Sequence, residues 1–138
     1  MIARITHRPR KKRIVILGGG FGGVYAAIHL EKLLAREHTV EICLVSRDNF
    51  FLFTPMLHEI AASDLEITNI VNPLRKLLHK VEVLVGDVNE IDLPNKRVLI
   101  SRGYRNDLQQ VDYDHLLMPW DRRPTFTTSR AWRNWRCR

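Results

Sequence analysis

The sequence is poor in cysteine and in long apolar runs. Its two cysteines are far apart, with Cys43 inside the mostly apolar stretch of residues 40–45 and Cys137 in a basic tail. Neither their spacing nor their context predicts a disulfide framework or a metal site. The longest apolar stretch near the start, residues 14–17, is too short for a signal-peptide core or a membrane span. A reducing, cytoplasmic location is therefore the default expectation.

The formal net charge of +7 is concentrated at the ends of the chain. Residues 119–138 carry six arginines against one acid, which leaves +2 for residues 1–118, and residues 8–13 form a second basic cluster. Such clusters are usually solvated chain ends, so we expect no nucleic-acid partner. At 138 residues the chain has room for one domain and is short for an enzyme that seats two cofactors.

Three changes of hydrophobic periodicity within the first 50 residues predict a βαβ unit. In residues 13–17, the four that follow Arg13 are continuously apolar, as in a parallel strand that is covered on both faces. After a glycine-rich turn, apolar residues recur at helical spacing from residue 21 to about 35, and residues 39–45 predict a second buried strand. A strand, a tight turn, a helix and a strand in this order predict a right-handed crossover and an α/β fold.

The turn itself carries a G-x-G-x-x-G motif, in which Gly18, Gly20 and Gly23 are the defining residues. Gly18 is expected to allow the tight turn, Gly20 to let a pyrophosphate approach the backbone, and Gly23 to let helix and strand pack closely. The phosphates would meet backbone N–H groups at the positive end of the helix. Since strand, helix and second strand surround the motif, it predicts dinucleotide binding.

The second strand departs from the usual fingerprint, which ends in an acid that binds the adenosine ribose. Here that position is Ser46, followed by Arg47 and Asp48. Ser46 could make one ribose hydrogen bond, with Arg47 near the adenine or the phosphates. The alternative is that Arg47 and Asp48 are solvated loop charges. An arginine here also suits a 2′-phosphate, so the motif leaves NADP open.

Beyond the βαβ unit, the sequence gives weaker signals of secondary structure. Thr54 before Pro55 predicts the N-cap of a short helix to about residue 62, and Asn72 before Pro73 predicts another over residues 74–79. Residues 81–85, 88–93, 97–101 and 113–117 are predicted strands, with residues 93–96 as a hairpin turn.

Residues 13–117 resemble the type II, non-proton-pumping NADH dehydrogenase family of flavoproteins. The resemblance rests on the segments 14–23, 49–57, 59–62, 86–92 and 113–117, and its most distinctive part is Phe53-Thr-Pro55-Met-Leu57. It implies a Rossmann-like FAD-binding domain with a parallel sheet and a small β-hairpin or meander, truncated relative to the family. It also implies that Phe53, Pro55 and Leu57 lie by the isoalloxazine ring and that Val88 holds the adenine through its backbone. With the motif, the expected cofactor-binding residues are Gly18, Gly20, Phe21, Gly22, Gly23, Ser46, Arg47, Phe53, Pro55, Leu57 and Val88.

The resemblance implies hydride transfer from NADH to FAD, and then electron transfer to a quinone at the cytoplasmic face of the membrane. NADH and quinone are the expected partners, with peripheral membrane association through a C-terminal segment that this chain lacks. No catalytic residue is assigned, because the cofactor performs the reaction; His58 and Glu59 are interpreted as helix-surface residues. Disulfide-reductase and sulfide:quinone relatives need cysteines, and residues 48–62 contain none.

The leading interpretation is thus an N-terminal, FAD-binding part of an NADH:quinone oxidoreductase, inactive by itself. The alternatives are a stand-alone NAD(P)-binding Rossmann dehydrogenase, a small basic nucleic-acid-binding protein, and a partial product without any activity. FAD binding by the chain alone is expected to be weak, because half of the expected cofactor contacts are absent.

Residues 1–12 are expected to be a basic extension, and residues 118–138 a basic tail in a shifted reading frame. The resembled family continues after residue 117 with an Ala-x-Gly turn, whereas this chain becomes rich in arginine and tryptophan. In the shifted register, the bases across Met118 and Pro119 must read alanine, and those across Trp120 and Asp121 must read glycine. A genuine disordered tail is the alternative.

Overall fold

A computed structural model describes residues 11–53, 55, 61–62, 70–102 and 107–119. In chain order, their elements are β1 (Lys12–Leu17), α1 (Phe21–Leu33), β2 (Val40–Ser46), β3 (Phe50–Leu52), β4 (Val71–Pro73), α2 (Leu74–Leu77), β5 (Val81–Val85), β6 (Asp87–Asp92), β7 (Arg97–Arg102), β8 (Asp107–Asp112) and β9 (His115–Leu117). The fold is α/β and Rossmann-like, as the sequence predicts.

A parallel sheet of four strands, in the order β5-β2-β1-β9, forms the centre of the molecule. β1 pairs with β2 on one side, where Ile14 lies opposite Ile42, and with β9 on the other, where Ile14 lies opposite His115. The helix α1 carries the chain from β1 to β2. The predicted βαβ unit is confirmed, and its element boundaries lie within two residues of the predicted ones.

Successive residues of the central strands face two separate hydrophobic clusters. Ile16 and Leu44 belong to a cluster that includes residues of α1 and α2, whereas Val15 and Cys43 belong to a second cluster with residues of β7 and β8. Because side chains alternate along a strand, a sheet that is covered on both faces needs apolar residues at every position. The continuous apolar runs of β1 and β2 have this cause.

The second face is covered by an antiparallel meander in the order β6-β7-β8. The predicted turn at residues 93–96 joins β6 to β7 and is held by Asn95, whose backbone and side-chain N–H groups both donate to Asp92. Lys96 completes it in the left-handed region, at φ 53°. The sequence did not predict β8, because this strand is mostly polar and buries only Val111.

A small antiparallel pair, β3 with β4, also escaped prediction. Its register places Asn72 opposite Phe51. The prediction of Asn72 as a helix N-cap is wrong, because Asn72 lies in a strand and the N-cap of α2 is Pro73, which makes no side-chain cap bond. The Leu74 N–H donates instead to the Asn49 carbonyl (2.9 Å). α2 is also two residues shorter than predicted.

The helix predicted to start at Thr54 lies largely outside the described residues, as do His58 and Glu59. Of the predicted tail, only Met118 and Pro119 are described. The change of reading frame therefore stays a prediction.

An ionic cluster fixes the start of β1. The Arg13 backbone N–H donates to the Asp114 carboxylate (2.7 Å), and the Arg13 guanidinium donates to Glu41 (3.0 Å). Lys11 lies 3.4 Å from the same Glu41 carboxylate. The hydrogen bond from Arg13, followed by that from Lys11, holds the pKa of Glu41 below its ordinary value against the opposing effect of desolvation.

We expect Glu41→Gln to flatten the acid limb of the stability–pH profile. A carboxylate with a lowered pKa stabilises the fold above its unfolded-state pKa, about 4.3, and loses this contribution as the pH falls through its folded-state pKa. The side chain is well exposed, so solvent screening limits the effect to under about 1 kcal/mol. Urea unfolding at pH 7 and pH 3 measures it. The stability difference between wild type and variant should shrink at pH 3, and a constant difference would contradict this account.

Candidate cofactor-binding site

The carboxyl ends of the parallel strands meet at one edge of the sheet, where Gly18 follows β1, Ser46 ends β2 and Arg47 comes next. The crossover from β1 runs to β2 on one side, whereas the chain returns after the meander to β9 on the other side of β1. In open α/β sheets, ligands bind outside the carboxyl ends of the strands at such a reversal. The glycine-rich turn follows β1 directly at this point.

Gly18 occupies a backbone conformation that only glycine adopts readily. Its φ is +113°, and its N–H donates to the Val45 carbonyl of the neighbouring strand (2.8 Å). A side chain at this φ would be strained. The predicted reason for Gly18, a tight turn out of β1, is confirmed.

Gly23 lies where α1 packs against the turn. A methyl group added at Gly23 would collide with the Gly18 carbonyl oxygen and would lie 3.6 Å from Leu44 Cδ1. This confirms that Gly23 permits close packing of helix and strand. A methyl group at Gly22 would instead lie 2.8 Å from Pro119 Cβ, so the chain after β9 passes beside the first turn of α1.

The amino-terminal end of α1 is well suited to an anion. Gly20 is the N-cap, no side chain caps the helix, and the first turn contains no acidic residue. The first N–H groups of a helix have no carbonyl partner within it, and the helix dipole makes this end positive. The N–H groups of Phe21, Gly22 and Gly23 therefore belong to an anion-binding end. These residues fit a dinucleotide pyrophosphate.

The end of β2 is tied to the start of the meander. The Ser46 side chain is only 6% exposed, and a side chain at Gly19 would collide with its hydroxyl. The Ser46 carbonyl accepts the Gly86 N–H (2.9 Å). Arg47 Nε donates to Asp87 Oδ1 (2.7 Å), although the two side chains are 62% and 56% exposed. Arg47 thus has a specific ion-pair partner at this edge.

Sequence reasoning missed both Asp87 and Gly86. A Cβ at Gly86 would lie 2.5 Å from the Ser101 carbonyl oxygen, so glycine is required where the chain leaves the parallel sheet for the meander. Val88 follows at once, partly buried and paired with Ile100. The sequence offered no signal for Asp87 and Gly86, because their position beside the end of β2 depends on β5 pairing with β2.

Aromatic rings connect the start of α1 to β3. The Phe21 ring lies edge-on to Phe51, with centroids 4.9 Å apart, and 5.3 Å from the ring of Phe53. The Phe21 side chain is therefore packed against these two rings. Pro55 is exposed, and Leu57 lies outside the described residues. Phe51, which is buried here, was not among the predicted site residues.

Cys43 is buried in the sheet, and desolvation is the first cause that raises the pKa of its thiol, to about 12. Thiol chemistry requires the thiolate, which is scarce at such a pKa.

We expect a Cys137→Ser variant to show no reaction with a thiol reagent at pH 8 and one reacting thiol in denaturant. Rapid labelling of the native variant would contradict this burial.

Within the described part of the chain, no group of side chains is suited to hold a metal ion, and no helix is long and apolar enough to cross a membrane. Two surface hollows, of about 180 and 380 Å³, lie at the opposite end of α1, beside Glu31 and Lys80. Glu31 accepts the backbone N–H groups of His79 and Lys80 there, and so braces the loop before β5. The glycine-rich turn contributes to neither hollow.

Among curated proteins, the chain is similar to the type II NADH:quinone oxidoreductase Ndh of Mycobacterium tuberculosis, with 36% identity over 116 residues, 80% of this chain and 23% of the relative. It is 38% identical over 94 residues to the demethylphylloquinone reductase NdbB of Synechocystis, covering 66% of this chain and 23% of the relative. The chain thus spans about a quarter of the length of these relatives.

Solved structures show the same fold. The NDH2 of Plasmodium falciparum superposes with a TM-score of 0.69 at 24% identity, covering 79% of this chain and 22% of that one. The sulfide:quinone oxidoreductase of Aquifex aeolicus gives 0.65 at 26% identity, covering 78% and 24%.

The sequence profile of one family, described as pyridine nucleotide-disulphide oxidoreductase, matches residues 12–119. The match includes the glycine-rich turn, both neighbouring strands and the meander. This chain therefore belongs to the pyridine nucleotide-disulphide oxidoreductase family.

Proposed function

We propose that this chain is the FAD-binding part of a flavoprotein oxidoreductase that passes electrons from NADH through FAD to a quinone. The observation that carries the proposal is the start of α1, which offers backbone N–H groups, no side-chain cap and no acid at the carboxyl edge of the sheet. The similarity to NADH:quinone oxidoreductases supports the choice of reaction.

The cofactor's parts are assigned along this edge. The N–H groups after Gly20 bind the pyrophosphate, Ser46 and Arg47 lie on the ribose side, and the Val88 backbone holds the adenine. Phe53, Pro55 and Leu57 form the wall beside the isoalloxazine ring. Bound FAD supplies the redox chemistry by accepting a hydride and releasing electrons, while the protein residues position it and exclude water.

The choice between NADH and sulfide as the electron donor depends on cysteine. The stretch that matches the family, residues 12–119, contains one cysteine, Cys43. Its buried thiol, with a pKa raised to about 12, is a poor nucleophile. This favours NADH as the donor. In the whole protein, we place the quinone reaction at the cytoplasmic face of the membrane, with peripheral attachment.

Separate titrations of the purified chain with FAD and NADH, followed by flavin and nicotinamide fluorescence, test the cofactor. Both ligands share an ADP moiety, so only the flavin half can favour FAD. We expect FAD to bind at least about tenfold more tightly, a difference of about 1.4 kcal/mol. Tighter binding of NADH would instead favour a nicotinamide-binding Rossmann domain.

A further inference from the structure

The part of the site that would bind the adenosine half of FAD lacks the acidic residue that usually ends β2. Most strands of this kind end in a carboxylate that accepts the ribose hydroxyls, whereas β2 ends in Ser46. Ser46 is nearly fully buried, and its hydroxyl packs against Gly19 of the glycine-rich turn. A hydroxyl in that position is poorly placed to receive a ribose from solvent.

Asp87, the first residue of β6, places a carboxylate in the same part of the site. The Gly86 N–H donates to the Ser46 carbonyl, which places the next residue, Asp87, beside the end of β2. Its carboxylate accepts Arg47 Nε at 2.7 Å, and Arg47 directly follows Ser46. More than half of the Asp87 side chain is exposed, so a ligand can reach it.

The backbone around Asp87 is fixed at both sides. Asp87 pairs with Ser101 at the start of β6. The residue before it, Gly86, lies so close to the Ser101 carbonyl that its backbone has little freedom to move. The Ser101 hydroxyl donates to Asn89 Oδ1 (3.2 Å), at the point where the register of β6 shifts. A carboxylate on this backbone, oriented by Arg47, is preorganised rather than loosely solvated.

We propose that Asp87 supplies the carboxylate that accepts hydrogen bonds from the adenosine ribose hydroxyls, and that Arg47 orients it. This inference rests on the proposed function, since it assigns a residue to the adenosine end of the same site. An ionised carboxylate has about four acceptor positions, so the bond to Arg47 leaves capacity for two hydroxyls. The same charge repels a 2′-phosphate, which disfavours NADP at this position.

The test compares ADP with 2′,3′-dideoxy-ADP, which lacks both ribose hydroxyls, by calorimetric titration of the purified chain. Wild type is expected to prefer ADP by about tenfold or more, because bonds to a charged acceptor are strong. Asp87→Ala should reduce the preference to twofold or less. Any change in phosphate affinity that follows from losing the bond between Asp87 and Arg47 affects both nucleotides equally and cancels in the ratio.

Asp48→Ala is the matched control, because Asp48 is an acidic residue that directly follows Arg47 in the sequence. It should keep the wild-type preference. A preference that survives Asp87→Ala, or that is lost in Asp48→Ala instead, overturns the role of Asp87 and leaves the proposed function intact. Wild type that binds neither nucleotide overturns both proposals together. Thermal unfolding of each variant confirms that the folded chain is compared.

Discussion

Gly23→Ala is expected to lower the free energy of unfolding by at least about 2 kcal/mol and to abolish nucleotide binding. The added methyl group collides with the Gly18 carbonyl oxygen, a backbone atom. Relief requires α1 to move away from the turn, and such overpacking typically costs about 1–3 kcal/mol or more. The gain in helix propensity from glycine to alanine, at most about 1 kcal/mol, does not offset it. Urea unfolding measures the difference.

Gly22→Ala is the matched control one position earlier on the same helix. Its methyl group meets Pro119 Cβ at 2.8 Å, a side-chain atom in the segment after β9. Pro119 lies outside the strands, whereas the Gly18 carbonyl belongs to the turn between β1 and α1, so we expect a smaller loss of stability than for Gly23→Ala, within about 1 kcal/mol. Equal stability of the two variants would show that α1 does not pack on Gly18 as described.

Gly20→Asp is expected to preserve or raise stability while reducing the affinity for FAD and ADP at least about tenfold. Gly20 is the N-cap of α1, with φ −78° and ψ −171°, a conformation open to aspartate. Aspartate at an N-cap is better than glycine by a few tenths of a kcal/mol, and its charge interacts favourably with the helix dipole. The same carboxylate competes with the pyrophosphate for the N–H groups of the first turn. Thermal unfolding and calorimetric titration measure the two effects separately.

Gly20→Asn separates the effect of the added charge on ADP binding from the effect of the added side chain's size. Asparagine caps a helix about as well as aspartate and is nearly the same shape. We expect Gly20→Asn to weaken ADP binding less than Gly20→Asp does, and the gap between them to narrow with added salt. Unchanged ADP affinity in the aspartate variant would place the phosphate away from α1.

The sequence predicted the central part of the fold well because periodicity and turn chemistry agree there. Residues 14–17 of β1 and 42–45 of β2 are apolar at every position, since one residue faces α1 and the next faces the meander. The hairpin turn at residues 93–96 carries a proline and an asparagine, and it was found for that reason. Local sequence signals are enough to predict an element when its hydrophobic pattern and turn residues agree with its place in the fold.

The elements that escaped prediction are those whose pattern is set by distant partners. β8 is mostly polar and is a strand because it pairs with β7. Asn72 before Pro73 has the composition of a helix start, yet pairing with β3 holds it in a strand. Tertiary contacts override such short local signals.

Within the candidate site, the sequence identified the glycines that a single turn requires. It did not identify the residues that come together only because distant strands pair. The roles of Gly18 and Gly23 depend on one turn and were predictable from the motif. The ion pair of Arg47 with Asp87 joins residues 40 positions apart and depends on β5 lying beside β2. A sequence pattern carries no record of that adjacency.

Amide chemical shifts of the nitrogen-15-labelled chain during titration with ADP test the central claim most directly, namely that the glycine-rich turn before α1 binds the phosphates of a dinucleotide. The account predicts the largest shifts at the amides from Gly20 to Gly23, with a second group at Asp87 and Val88. It predicts little change beside Glu31 and Lys80, where the surface hollows lie. Shifts centred on that opposite end of α1, or none at the glycine-rich turn at saturating ADP, would contradict it.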